Sequence, residues 1–282
     1  MLNTECPTLI IPVISNSLIN NHAYSDILKV LFLSIIQGVT EWFPISSSGH
    51  LVLFQELFNI KVSAAFDILL HTGSLTGVIF FARKDLYALL KTFFKLDFSS
   101  EEGRMLVYLT VGTIPIVILS LLLKDLIDVM FTNLLSTGVA MLITGIILYL
   151  TKHPKPRSCL NASNAFLIGV SQALAIVPGI SRMGITVSTA LLSGLEYDEA
   201  YRFSLSLSVL SFIGGCIFKL DNVYFERDFL YIFLGIAITA IVSILALRFL
   251  KRHVTSKSFY KFAYYCLIVG GIVLLLGIFR SL

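Results

Sequence analysis

Five stretches of sixteen to twenty residues hold no Asp, Glu, Lys or Arg: Met105 to Leu123, Thr132 to Thr151, Phe203 to Phe218, Phe229 to Leu247 and Phe262 to Phe279. A helix crossing the ~30 Å hydrocarbon core of a bilayer needs about 20 mostly apolar residues, and runs of this length admit few other uses. A sixth stretch, Ala64 to Ala82, carries Asp67 and His71 but is otherwise apolar and rich in small residues, as helices that pack on other helices in a membrane are. Only 13% of the chain is charged and 56% is hydrophobic, against about 25% charged in a soluble domain. The chain therefore reads as one integral-membrane domain over residues 26–282, behind an N-terminal extension, 1–25, whose only feature is an apolar patch from Leu9 to Ile14. That extension lacks the basic start and long apolar core of a signal peptide, so the first membrane segment is the expected insertion signal. Cys6, Cys159, Cys216 and Cys266 form no CxxC pair, and neither a disulfide framework nor a zinc site is expected.

A net charge of +4 is too small for a nucleic-acid surface; its use is to orient the chain. Lys and Arg gather between the spans at 83–104, 152–157 and 248–261, and the positive-inside rule puts these segments in the cytoplasm. The segments at 124–131 and 221–228 are poorer in Lys and Arg and face outward. Parity then constrains what remains. Between 157 and 221 only one clear span is present, so Ser158 to Leu195 must enter from the cytoplasm and return; it is read as broken at Pro178-Gly179 and again at Gly184. Ile27 to Phe58, broken at Pro44 and Gly49, must enter and return from outside. Both termini are then outside.

Broken helices at membrane depth survive only where protein or a polar cavity covers their free backbone groups, so these two turns are the expected site. They also resemble each other: Gly38-Val39-Thr40-Glu41 precedes Pro44 and a Ser/Gly turn, and Gly169-Val170-Ser171-Gln172 precedes Pro178 and another. Three spans separate them, which makes the units antiparallel. The fold class is an all-α polytopic membrane protein of two inverted repeats, about 26–150 and 158–282, each a re-entrant helical hairpin plus three transmembrane helices.

The first turn reads Gln37-Gly-Val-Thr-Glu41-Trp-Phe-Pro44-Ile-Ser46-Ser47-Ser48-Gly49-His50. Gln37 and Glu41 share one helical face, and a carboxylate within a membrane marks a functional site by default. The second reads Pro178-Gly179-Ile-Ser181-Arg182-Met-Gly184-Ile-Thr186. A guanidinium at a helix start offers forked donors, N–H groups and a positive dipole together, which suits a phosphate. Jointly the turns hold the groups for binding and cleaving a phosphoanhydride. Glu41, His50, Arg182 and Ser47 are the expected catalytic residues; Gln37, Ser46, Ser48, Gly179, Ser181 and Thr186 are expected to bind substrate. Asp67, His71 and Arg202 are read as structural.

On these motifs the chain resembles the undecaprenyl pyrophosphate phosphatase family of bacitracin-resistance proteins. Glu41 to His50 is similar to that family's first signature, an acidic pair four residues apart before a Pro/Ser/Gly/His turn, and Pro178 to Thr186 to its second, PGxSRSxxT. The likeness runs from about Asp26 to the C-terminus. It implies hydrolysis of undecaprenyl diphosphate to the monophosphate in the bacterial cell membrane. That reaction recycles the lipid carrier for peptidoglycan synthesis, depends on a divalent cation, Mg²⁺ or Ca²⁺, and confers bacitracin resistance. Glu41, assisted by Gln37, would hold the metal; the nucleophile is a turn serine, His50, or a water activated by His50 or Glu41. Gln37 stands where many members have glutamate, and Met183 replaces the second serine of PGxSRS, so serine at 183 is expected to be tolerated.

Two other classes compete. An inverted-repeat transporter or flippase of an anionic lipid or solute would share the fold. The type-2 phosphatidic acid phosphatases share Ser48-Gly49-His50 and Ser181-Arg182, but their SRxxxxxH pattern needs histidine where Ser188 stands, and Arg-Pro occurs nowhere.

Overall fold

The computed structural model describes residues 13–58, 64–123, 133–219 and 229–281, with side chains described from Ile27 onward. Among them the fold is entirely helical: α1 (Val13–Thr40), α2 (Ser47–Phe58), α3 (Ala64–Phe81), α4 (Arg83–Lys95), α5 (Glu101–Leu122), α6 (Leu134–Leu150), α7 (Ala162–Leu174), α8 (Arg182–Leu192), α9 (Tyr197–Lys219), α10 (Phe229–Thr255) and α11 (Phe262–Ser281), with a single 3₁₀ turn, Phe259–Lys261, leading into the last. Glu101–Leu122, Ile232–Thr255 and Phe259–Arg280 are each long and apolar enough to cross a membrane, and Ile27–Thr40, Ile68–Phe81 and Leu134–Leu150 are shorter apolar helices. The protein is a multi-pass helical membrane protein, as the apolar runs require.

Starts and stops follow local chemistry. Ser100, Asn133, Asn161 and Ser181 each accept from a backbone N–H one turn ahead, at the head of α5, α6, α7 and α8. Leu96, in a left-handed conformation, ends α4. The basic segment 83–104 is not the plain loop expected: Leu86, Leu89, Leu90 and Phe93 recur at helical spacing and give α4, with Leu89 buried and Tyr87, Leu90, Phe93 and Phe94 exposed. The third basic segment likewise begins as the end of α10. Segments 124–132 and 220–228, which hold the expected outward loops, lie outside the described residues, as does most of the Leu9–Ile14 patch; α1 is already helical from Val13, inside the expected extension.

Packing is pairwise: α6 runs along α11, α3 and α1 along α10, and α5 along α7, while α9 bridges α3, α5 and α8. Small residues let these backbones close up. A methyl at Gly169 would stand 2.2 Å from the Gly112 carbonyl oxygen, and one at Gly73 2.6 Å from Thr239 Cβ, both closer than any real contact. The core they enclose centres on Trp42, Leu148, Ile168, Met183, Phe203 and Phe259.

Candidate functional site

Both breaks fall where Pro44 and Pro178-Gly179 put them, but Gly49 and Gly184 lie inside helices rather than breaking them. Each is three residues past a serine that caps its helix: Gly49 N donates to Ser46 Oγ at 3.2 Å and Gly184 N to Ser181 Oγ at 3.1 Å. A hydroxyl at N-cap satisfies the third orphan N–H of the helix, so the helix starts instead of ending. The glycines serve contact between the turns. A methyl on Gly49 would sit 3.3 Å from Gly179 Cα, and one on Gly184 3.3 Å from Pro44 Cβ. Gly179 N donates to Ser48 Oγ at 3.4 Å and Ser181 Oγ to the Phe43 carbonyl at 3.5 Å, so the two turns meet directly. Thr144, on α6, braces the second turn by donating to Gly179 O and accepting from Ser181 N, at 3.1 and 3.2 Å.

Glu41, 8% exposed, sits one residue past α1. Its Oε2 accepts from Gln37 Nε2 at 2.7 Å, one helical turn back, and from Ser47 Oγ at 2.7 Å, at the first residue of α2. His71 Nε2, from α3, stands 3.6 Å from the same oxygen. Two donors thus converge on one carboxylate oxygen, and a serine hydroxyl aimed at a carboxylate has a proton acceptor within hydrogen-bond reach.

Arg182 heads α8 and lies half-buried, its guanidinium carbon 4.4 Å from the centre of the Phe212 ring. His71 and Trp42 flank that same ring, at 5.9 and 5.6 Å. Phe212 thus gathers the cation from one turn and two neighbours of the carboxylate from the other. His50 stands differently. Its Nδ1 lies 2.7 Å from the Ser46 carbonyl oxygen and its Nε2 2.8 Å from Tyr265 Oη, with the imidazole stacked on the Tyr265 ring.

The other expected binding residues have structural partners. Thr186 is fully buried and donates to the carbonyl of Arg182; Ser46 and Ser48 bond each other at 3.1 Å. Met183, 1% exposed, packs in the core and accepts from Ser208. A serine there would leave a cavity, so a cost in stability is expected beside the tolerance in turnover expected from sequence. Sequence reasoning passed over Phe212 and Tyr265 and read His71 as structural, whereas it stands beside the Glu41 carboxylate. His71 had a signal, an imidazole in an apolar helix; the others are ordinary aromatic residues of membrane helices. Arg202 stands 3.6 Å from Asp85, both side chains half-exposed, and the side chain of Asp67 lies outside the described residues.

For a divalent cation the donor chemistry fits. Gln37 Oε1 is buried with no hydrogen-bond partner among the described residues, beside a carboxylate, and hard cations take amide and carboxylate oxygens. No group of three or more His, Cys, Asp or Glu side chains gathers as metal ligands among the described residues; water and substrate oxygens would complete such a shell, as they do for Mg²⁺.

Fold and turns together define a helical membrane protein with an acidic serine-bearing turn set against an arginine-bearing one. The family model of the bacitracin resistance protein BacA matches residues 30–272, and the chain belongs to that family. It is 39% identical over 261 residues to the undecaprenyl-diphosphatase of Korarchaeum cryptofilum, covering 88% of this chain and 98% of that one. It is 36% identical over 264 residues to that of Halothermothrix orenii, 90% and 100% covered, and 33% identical over 272 residues to that of Methanosphaera stadtmanae, 90% and 99% covered.

Proposed function

We propose that the chain hydrolyses undecaprenyl diphosphate to undecaprenyl phosphate and inorganic phosphate. The observation that carries the site is the 2.7 Å hydrogen bond from Ser47 Oγ to Glu41 Oε2, facing the turn that holds Arg182. Ser47 Oγ attacks the terminal phosphorus as its proton passes to Glu41; the bond to the bridging oxygen breaks and the lipid monophosphate leaves. Water then cleaves the phosphoserine, releasing phosphate and restoring the hydroxyl. Arg182 holds the diphosphate and neutralises charge on the transferring group with two-pronged donors. Gln37 orients Glu41 through Nε2, and the Gln37 Oε1 and Glu41 carboxylate oxygens would hold Mg²⁺ or Ca²⁺, which supplies charge neutralisation to the phosphates. Ser46, Ser48, Gly179, Ser181 and Thr186 shape the two turns on which these groups stand.

The fold is read as two inverted repeats, 26–150 and 158–282, each a re-entrant hairpin (α1–α2, α7–α8) followed by three spans (α3, α5 and α6; α9, α10 and α11). The packing supports this: exchanging the repeats turns the α1–α10 pair into α7–α5, and α6–α11 into itself. In a bacterial inner membrane the basic segments would face the cytoplasm and the Glu41 turn the outer side, where polymer synthesis releases the lipid diphosphate. Cysteines at 152–157 and 251–257 should then label from the cytoplasm and one at position 46 from outside; the reverse overturns the orientation.

The decisive experiment is phosphate release from a long-chain isoprenyl diphosphate by purified protein, with and without chelator, together with mass spectrometry for phosphate on Ser47 after rapid quenching. No phosphate release with Mg²⁺ or Ca²⁺ present would favour a transporter or flippase over the enzyme. Full turnover by Ser47→Ala would move the nucleophile to water.

A further inference from the structure

The first turn contains a strained residue, and two neighbouring residues of the last helix are tied to it. Ser46 has φ +70°, a left-handed conformation costly for any residue with a Cβ. It immediately precedes Ser47, so its backbone angles decide where the Ser47 hydroxyl points. Its carbonyl oxygen takes two bonds from His50, from the backbone N at 3.2 Å and from Nδ1 at 2.7 Å. A carbonyl oxygen only accepts, so Nδ1 carries the proton; in the neutral ring Nε2 is then an acceptor. Tyr265 Oη, 2.8 Å away, is the donor that meets it, and the two rings stack at 5.7 Å and 14°. The next residue of α11, Cys266, donates through Sγ to the carbonyl of Pro44 at 3.3 Å. Consecutive residues of α11 thus hold both ends of the Pro44–Ser46 turn, across more than two hundred residues of sequence.

We propose that Tyr265 is a positioning residue for the hydrolysis. Acting through His50, it holds Ser46 in the left-handed conformation that sets Ser47 against Glu41. With both ring nitrogens committed, and at 3% exposure, His50 is part of the frame of the turn rather than the carrier of a proton to or from phosphate. The proposal rests on reading Ser47 and Glu41 as the reacting pair.

The test uses full-length protein labelled with ¹⁵N-histidine in lipid nanodiscs. The chain has five histidines, and the His50 signals are identified by their loss in His50→Asn. In the wild type His50 is expected as the tautomer protonated at Nδ1. Tyr265→Phe keeps the stacking ring but removes the donor; it is expected to disturb the His50 signals and lower kcat by about tenfold to a hundredfold, with KM within about twofold, as small misplacements of a reacting group do. The Asn amide nitrogen can take the place of Nδ1 on the Ser46 carbonyl, so His50→Asn is expected to turn over at least about tenfold faster than His50→Ala. Equal inactivity of those two, at unchanged unfolding midpoints, overturns the proposal and gives His50 the proton transfer. So does a wild-type His50 protonated only at Nε2, a result that needs no variant to fold. Unchanged kcat and signals in Tyr265→Phe overturn it too. Ser47→Ala run alongside separates the two readings: full turnover there overturns the reacting pair, whereas an inactive Ser47→Ala with equally dead Asn and Ala variants overturns the clamp alone.

Discussion

The two turns share a backbone plan and divide the chemistry. Ile45-Ser46-Ser47-Ser48-Gly49 and Ile180-Ser181-Arg182-Met183-Gly184 align residue for residue, with a capping serine and a close-packed glycine in each. The position after the capping serine then holds Ser47 in one and Arg182 in the other. At the matching ends of Gly38-Val-Thr-Glu41 and Gly169-Val-Ser-Gln172, Glu41 has Gln37 and Ser47 on its carboxylate, whereas Gln172 is fully buried with neither amide atom bonded among the described residues. The strain is also divided: the left-handed residue is Ser46 in the first turn and Gly179 in the second, where φ is +100°. In the proposed reaction the first turn would supply a nucleophile with its base and the second a phosphate-binding cation. That arrangement suits a reaction in which negative charge must be bound and attacked together.

The largest effects should come from the positions where the turns differ. Ser47→Ala, Glu41→Gln and Arg182→Lys are each expected to cut turnover by at least about 10²–10³-fold, with the protein still inserting and folding; Arg182→Lys keeps the charge and loses the fork. Phosphate release by purified variants decides this, and near-full hydrolysis by Glu41→Gln together with Arg182→Lys would remove the division of labour. Gly179→Ala should come next. Its Cβ would meet the Thr137 carbonyl oxygen at 2.4 Å in a conformation that disfavours side chains, so both folding yield and activity should fall; the unfolding midpoint measures it.

Met183→Ser should lose about 2–5 kcal/mol of stability through the cavity it opens, while the fraction that folds keeps its turnover. Loss of turnover without loss of stability would instead place position 183 at the substrate. The smallest effect expected is from Gln172→Leu. Replacing a buried, unbonded amide by a hydrocarbon of similar size should be neutral or stabilise by about 1 kcal/mol, and activity should hold. Gln37→Leu, the contrasting exchange in the first turn, should lower turnover and weaken the dependence on Mg²⁺. If Gln172→Leu is as damaging as Gln37→Leu, the second turn has chemistry of its own.

Much of this was legible in one dimension. Spanning helices announce themselves because a bilayer demands a fixed apolar length, and the two breaks because Pro44 and Pro178 cannot continue a helix that lacks their N–H. Glu41 and Arg182 stood out because charges are costly in such segments. Local sequence also misled: Gly49 and Gly184 look like breakers, yet a serine three residues earlier makes each part of a helix start, and the basic stretch after Ala82 hides the periodicity of α4.

What the sequence by itself determined is the class of the protein, the two places where its helices break and the charged and polar residues those breaks carry, since all of these follow from composition over windows shorter than a helix. The tertiary structure alone decided which groups work together. Gln37 and Ser47 meet Glu41 within a single turn of chain, but His71 reaches it from α3, Phe212 draws Arg182 and His71 together from α9, and Tyr265 reaches His50 from α11. These partners are aromatic or imidazole side chains on apolar helices, where the hydrophobic pattern is satisfied whether or not they touch the site. Their roles come from helix packing, which is set by small residues at distant crossings such as Gly73 against Thr239 and Gly112 against Gly169; no local pattern records which helix lies beside which.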